Sequence, residues 1–295
     1  MKHVQPFVPA NQQLWRCLSM FALAASCTAT LAQPSTGMST VQKQLAQERF
    51  AIVSPFPPGG PVDTLSRFLA EGLSQRYGQP AVVENLPGAA GNLGMDKVRR
   101  GKPDGHMLLV VPAGNLTINP TLMPNFPFSI ERDFTPVTML AKAPNVLVAS
   151  PQAKLRDLDD LMTQAKRQPD SLSYASPGVG SGLHLAGELF KAQTQTEILH
   201  VPYKGSAPAT QAIIAGEVTY TFSTMPPAVT QTKGGRIYGL AVTSGKRVNA
   251  APDVPTLKEV GVPLEVLLYS GLMGPKGLPP AIVERLGAEL KKALA

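Results

Sequence analysis

The chain has 295 residues, 43% of them hydrophobic, which is enough apolar side chain for one large core or two modest ones. Charged residues make up 16% and the formal charge is +7, so the composition excludes a disordered, highly charged chain. The basic residues form no long stripe with interleaved aromatics, and the densest run (Lys97, Arg99, Arg100, Lys102) is short. A nucleic-acid partner is therefore not expected, whereas a mildly basic surface suits small anions.

The first 32 residues read as an export signal. Lys2 and Arg16 carry positive charge with no acid before Glu48, and an apolar stretch runs from Leu18 to Ala32. That stretch is shorter than the ~20 residues a bilayer span needs. Small residues at Thr30 and Ala32 suit a signal peptidase, so cleavage is expected after Ala32, with export to the periplasm. A lipoprotein anchor at Cys27 is the second reading, made weaker by Ala24 three residues before it. Both cysteines, Cys17 and Cys27, lie in this segment, so the remainder has neither a disulfide nor a cysteine metal site. Residues 33–48 read as a polar tether.

Strand and helix patterns then alternate. Phe50–Ser54 is a buried strand, and Pro57-Pro-Gly-Gly-Pro61 is a tight loop with Pro61 suited to a first helical turn. Val62, Leu65, Phe68, Leu69 and Leu73 recur at helical spacing until Gly78. Strands follow at Ala81–Glu84 and Met107–Val111, with a helix around Gly94–Arg100 between them. The pattern restarts at Asn145–Ala149. A helix carries Leu155, Leu158, Leu161, Met162 and Ala165. Then come strand Leu172–Ala175, helix Leu183–Ala192, strand Ile198–Val201, helix Ala207–Ala215, and strands Val218–Phe222 and Ile237–Val242. Leu264–Leu268 is strand-like and leads into Gly271–Pro275, and Ile282–Leu294 is a closing helix. This alternation implies an α/β protein of two lobes, each a mainly parallel sheet flanked by helices. The expected boundaries are 46–143 plus 266–295 for lobe 1 and 144–265 for lobe 2.

Three loops share one design. Phe56–Asp63, Ser176–Gly182 and Pro202–Pro208 each follow a strand, are rich in Gly, Pro or Ser, and open a helix. Free amides and the dipole at a helix start bind anions, and ligands in open α/β sheets lie at the carboxyl ends of strands. The candidate ligand-binding residues are therefore Pro58, Gly59, Gly60, Asp63, Ser176, Gly178, Gly180, Ser181, His184, Tyr203, Lys204 and Gly205. Lys204 reads either as the cation for a ligand carboxylate or as an exposed loop lysine. His184 reads as a structural hydrogen-bond partner or a ligand contact. Asp63 reads as a helix cap or a water holder rather than a base. Tyr203 and Tyr269 read as packing residues or cleft walls.

Enzyme signatures are missing. Val179 breaks the nucleophile elbow around Ser181, no phosphate-loop Gly-Lys-Ser/Thr occurs, and Gly88–Gly94 lacks dinucleotide-loop spacing. His106, His184 and His200 are scattered, with no carboxylate at metal-ligand spacing. The chain is thus expected to be no enzyme and to need no cofactor or metal.

Several motifs carry a resemblance. Pro55–Asp63, Val83–Gly94, Pro103-Asp-Gly-His106, Ile118-Asn-Pro120, Asp133–Val137, His184–Phe190, Pro202–Pro208 and Val254–Gly261 resemble, in order, signatures of the Bug family, the substrate-binding proteins of tripartite tricarboxylate transporters. The resemblance runs from about residue 49 to the end. It implies a type II periplasmic binding-protein fold that closes about a hinge like a Venus flytrap. It also implies a small organic carboxylate held by loops 57–63 and 176–182, partly through water, a monomer, and two membrane transporter subunits as partners. Leu86, Gly182-Leu183 and Tyr269 depart from the family pattern at positions that bear on ligand identity. The family normally continues past the residue that corresponds to Ala295, and the shorter end is expected to leave an apolar patch exposed on lobe 1. A sensing protein that acts on a signalling receptor shares this fold and cleft and is the alternative reading. A periplasmic hydrolase or isomerase is a third, for which no nucleophile or base is found.

Overall fold

A computed structural model describes residues 38–294, so the export signal and Cys17 and Cys27 lie outside the described residues. Thr40–Ala295 form one compact unit. Its helices of five or more residues are α1 (Thr40–Leu45), α2 (Pro61–Tyr77), α3 (Asn92–Arg99), α4 (Ala113–Thr117), α5 (Leu158–Arg167), α6 (Gly182–Thr194), α7 (Ser206–Ala215), α8 (Met225–Lys233) and α9 (Pro280–Leu294). Its strands are β1 (Phe50–Ser54), β2 (Ala81–Asn85), β3 (Met107–Pro112), β4 (Phe134–Ala149), β5 (Ser173–Ser176), β6 (Leu199–Pro202), β7 (Tyr220–Thr224), β8 (Tyr238–Val242) and β9 (Leu267–Pro275).

The sheet runs β2-β1-β3-β9-β4-β7-β5-β6, with β8 also paired to β4. Two parallel βαβ blocks occupy its ends. In the first, β1 lies between β2 and β3, both parallel to it. In the second, β5 lies between β6 and β7, both parallel to it. Antiparallel pairs join the blocks. Strand β4 pairs with β9 through residues 134–144 and with β7 through residues 145–149, so one long strand passes from one half into the other.

Burial follows the two-residue period of the strands. In the first half, Phe50, Ile52, Leu108 and Val110 face α2 and α9, packing with Leu69, Leu73, Ile282 and Leu286. Val53, Leu109 and Val111 face the other way, onto Met95 and Val98 of α3. In the second half, Leu147 and Ala149 pack with Leu158 and Leu161 of α5 and Phe190 of α6. Val146 and Val148 pack with Ala209 and Ile213 of α7 and Ala228 of α8. Each fully buried Val, Leu, Ile, Phe or Met among these contributes roughly 1.5–3 kcal/mol.

Local chemistry sets the helix ends. Pro61 starts α2, and Gly78 ends it in the left-handed conformation at φ 68°. Asp157 caps α5 by accepting from the Asp160 amide, 2.8 Å away.

Several elements differ from the sequence expectation, four of them for clear physical reasons. Part of the stretch read as a tether forms α1, because Leu45 is fully buried against α9 and the sheet. The first eleven residues of β4 were not anticipated, since Pro136 and Pro144 interrupt the pattern; a register shift follows Pro136. Strand β9 begins at Leu267 rather than Leu264 and runs on through Gly271–Pro275. Gly274 belongs there because a side chain would collide with Leu278. Helix α8 opens with Pro226-Pro227 in its first turn, where missing amides cost nothing.

Candidate functional site

The loops after β1, β5 and β6 all leave the carboxyl ends of their strands and enter helices α2, α6 and α7. They converge from both halves of the sheet. A Cβ placed on Gly114 would lie 3.0 Å from the Gly180 carbonyl, and one on Gly205 would lie 3.3 Å from Pro57. Glycine suits Gly114, where a second backbone comes this close, and Gly205, whose φ is 119°.

A small cavity of about 70 Å³ is lined by Gly60, Pro61 and Val62 at the start of α2 and by Ser181, Gly182 and Leu183 at the start of α6. Gly205, Ser206 and Ala207 at the start of α7 complete it. Beside it opens a cleft of about 820 Å³, bounded by Pro57, Gly178, Gly180, Tyr203 and Lys204, and on the other side by Gly88–Asn92, Asn115 and Asn119. Neither lining contains an Asp or Glu. The first amides of a helix have no partner within it, so three helix starts aim positive dipole ends at one place. Lys204 is exposed at the rim, with no ion pair among the described residues.

The candidate residues divide into two groups. Pro58, Gly60, Gly178, Gly180, Ser181, Tyr203, Lys204 and Gly205 line the cavities. Gly59, Asp63, Ser176 and His184 lie behind them. Asp63 is buried, and its carboxylate accepts from the Gly59 amide at 3.0 Å, Arg67 Nε at 3.0 Å and Asn85 Nδ2 at 2.9 Å. Burial pushes its pKa up, but these donors outweigh it and hold the carboxyl below the usual range. Asp63 is thus an ionised clamp on the first loop.

Ser176 and His184 clamp the second loop. Ser176 Oγ accepts from the Gly178 amide at 3.1 Å and lies 2.6 Å from Nε2 of His200. Ser181 Oγ caps α6 by accepting from the His184 amide. The rings of His184 and His200 are 4.3 Å apart. Burial pulls both below the ordinary histidine range, with His200, next to the other ring, down to about 4. Beyond them, Tyr174 donates to Glu188 at 2.6 Å, and Lys191 pairs with the same carboxylate. Burial raises the Glu188 pKa, but the bonds from Tyr174 and Lys191 more than offset it and leave it lowered.

Sequence reasoning missed the third wall. Gly88, Ala89, Ala90 and Gly91 all have positive φ, at 132°, 47°, 55° and 95°. Asn115 Nδ2 holds the turn by donating to the Ala90 carbonyl at 2.6 Å. The buried Oδ1 atoms of Asn92 and Asn119 have no protein partner. The signal was the Gly-Ala-Ala-Gly-Asn and Ile-Asn-Pro runs, which carry polar side chains among loop residues. Tyr269 does not reach either cavity; its ring lies 5.6 Å from the Lys142 ammonium.

Comparison with known proteins gives a consistent picture. A family model described as tripartite tricarboxylate transporter family receptor matches residues 65–295. Protein BugT of Bordetella pertussis is 37% identical over 245 residues, 82% of this chain and 75% of that protein. The structure of Rhodopseudomonas palustris Rpa4515 with adipate is similar at a TM-score of 0.80 and 34% identity, covering 83% of this chain and 82% of that one. The structure of MatC from Rhodopseudomonas palustris with bound malate has a TM-score of 0.78 and 32% identity, covering 84% of each chain. No described helix is long and apolar enough to cross a membrane.

Proposed function

We propose, from the premise that this chain belongs to the tripartite tricarboxylate transporter receptor family, that it captures a small organic carboxylate between two lobes and hands it to a transporter. The lobes are residues 46–143 with 266–295, and residues 144–265, hinged where β4 and the segment just ahead of β9 pass between the halves. The helix starts at Gly60, Ser181 and Gly205 hold one carboxylate through backbone amides. Lys204 and the polar third wall meet the remainder of the ligand.

The observation that carries this reading is the lining: three helix starts and a lysine around shared space without a carboxylate. The cleft of about 820 Å³ also falls within the roughly 300–1,000 Å³ usual for small-molecule sites. Adipate and malate in the two similar structures point to dicarboxylates as the first class to try. Residues 1–32 direct the chain to the periplasm, where it works as a monomer and meets the two membrane subunits. The ligand is held and released unchanged, as befits a transporter receptor.

The test is a thermal-shift screen of dicarboxylates, tricarboxylates, acidic amino acids and aromatic acids, followed by calorimetry. A ligand at 100 times its Kd stabilises the folded state by about 2.7 kcal/mol. At least one carboxylate is expected to raise the melting temperature and to be recovered unchanged. A screen in which only uncharged compounds bind, or in which the acid is converted, overturns the proposal.

A further inference from the structure

Away from the cleft, three side chains meet at the amino end of β3. The parallel ladder sets Ala51 of β1 against Met107 of β3. Three residues back along each strand stand Glu48 and Asp104, with His106 between Asp104 and β3. One ligand atom from each of Glu48, Asp104 and His106 lies within 4.8 Å of the others. The linear spacing of His106 conceals this, because Glu48 comes from a separate strand lead.

His106 is the decisive residue. Its side chain is 10% exposed, and neither ring nitrogen has a hydrogen-bond partner. Buried polar groups are nearly always satisfied, so such a ring calls for a partner. The ring is tilted against Phe50, with centroids 5.3 Å apart. Asp104 is positioned as well: its Oδ1 accepts from the His106 amide at 3.0 Å and lies 3.3 Å from Nδ1. Between them Gly105 has φ 92°, and a side chain there would strike Ile282 of α9 and Leu45 of α1. The turn is thus pressed into the core. Glu48 is exposed and supplies the third arm.

We propose that Glu48, Asp104 and His106 bind a divalent transition-metal ion of the zinc type. An imidazole with two carboxylates suits zinc, nickel or copper, whereas calcium and magnesium prefer oxygen alone. Three protein ligands leave a further position for water. Zinc bonds of about 2.0–2.2 Å suit the 3.3 Å between Asp104 Oδ1 and His106 Nδ1, and the exposed Glu48 side chain adjusts to complete the set. Bound metal ties the segment ahead of β1 to the turn ahead of β3, so it acts as a staple. Nothing in this site depends on the carboxylate cleft.

The experiment titrates zinc chloride into chelator-stripped protein by calorimetry, with melting temperature as a second readout. One equivalent is expected to bind with a Kd of about 10 μM or tighter and to raise the melting temperature. Glu48→Gln and His106→Gln each weaken binding about tenfold or more. Glu48→Gln sits at the surface and folds normally, so its result stands even if His106→Gln is unstable. Magnesium and calcium bind at least about a hundredfold more weakly than zinc. No zinc binding at about 1 mM, equal binding by both variants (a site at His184 and His200 instead), or calcium equal to zinc overturns the proposal.

Discussion

The amide of Gly180 donates to Nδ1 of His184 across 3.3 Å, so the cleft loop of the second half is held by a titratable ring. That ring lies 4.3 Å from His200, which itself lies 2.6 Å from Ser176 Oγ. A protonated Nδ1 cannot accept a hydrogen bond, and two imidazolium rings side by side repel. Glu188 faces the pair and favours their protonated forms, whereas Lys191 opposes them; Tyr174 stacks on His200 and is neutral.

The first prediction is a pH dependence. Burial and the neighbouring ring depress His200 to about 4 in the folded state, below the ordinary value of ~6.5. Between these values the unfolded chain binds more protons than the folded one, so stability falls as pH falls. It is fully present above about pH 6.5 and is lost progressively toward pH 4, by at most about 3 kcal/mol, reduced by solvent screening of the partly exposed ring. Urea denaturation from pH 4 to 8 measures it. His200→Gln keeps a donor near Ser176 and flattens the profile; an unchanged profile removes His200 as its source.

Asp63 gives the second. Replacing it with Ala strips the acceptor from the Gly59 amide, Asn85 and Arg67 together. Leaving such groups unpaired costs about 2–3 kcal/mol. Asp63→Ala is expected to lower urea stability by that amount and to weaken ligand binding through the disordered loop, although Asp63 itself does not line the cavity. Full stability in the variant counts against the clamp.

Gly180 gives the third. It has φ 80°, and a Cβ there would run into Asn119 Oδ1 across the cleft. Gly180→Ala pays roughly 1–2 kcal/mol for the left-handed backbone, and the collision holds the two walls apart. Carboxylate affinity is expected to fall at least about tenfold while far-ultraviolet circular dichroism stays the same. Wild-type affinity in calorimetry contradicts the close approach.

The fourth concerns Lys204. The side chain is exposed and unpaired among the described residues, so the fold does not need it. Lys204→Ala is expected to keep the melting temperature of the unliganded protein and to weaken carboxylate binding about tenfold, or about 1.4 kcal/mol. The loss shrinks as salt rises, because the charge sits in water. Equal affinity at low salt takes Lys204 out of the site.

The sequence by itself determined the alternation of strands and helices. Buried runs such as Phe50–Ser54 and Asn145–Ala149, and helix punctuation at Pro61 and Gly78, are local signals set by side-chain period and backbone freedom. It also marked the loops at 56–63, 176–182 and 202–208, since runs rich in Gly, Pro and Ser punctuate the passage from a strand end to a helix start. Tertiary structure decided what those loops do. That Gly180 faces Asn119 and that Glu48 stands beside His106 depend on the long passage of β4 between the halves and on the β1–β3 register. Contacts between residues 58 to 61 positions apart leave no period in a sequence. They arise only when hydrophobic burial closes the sheet and brings distant loops to the same end of it.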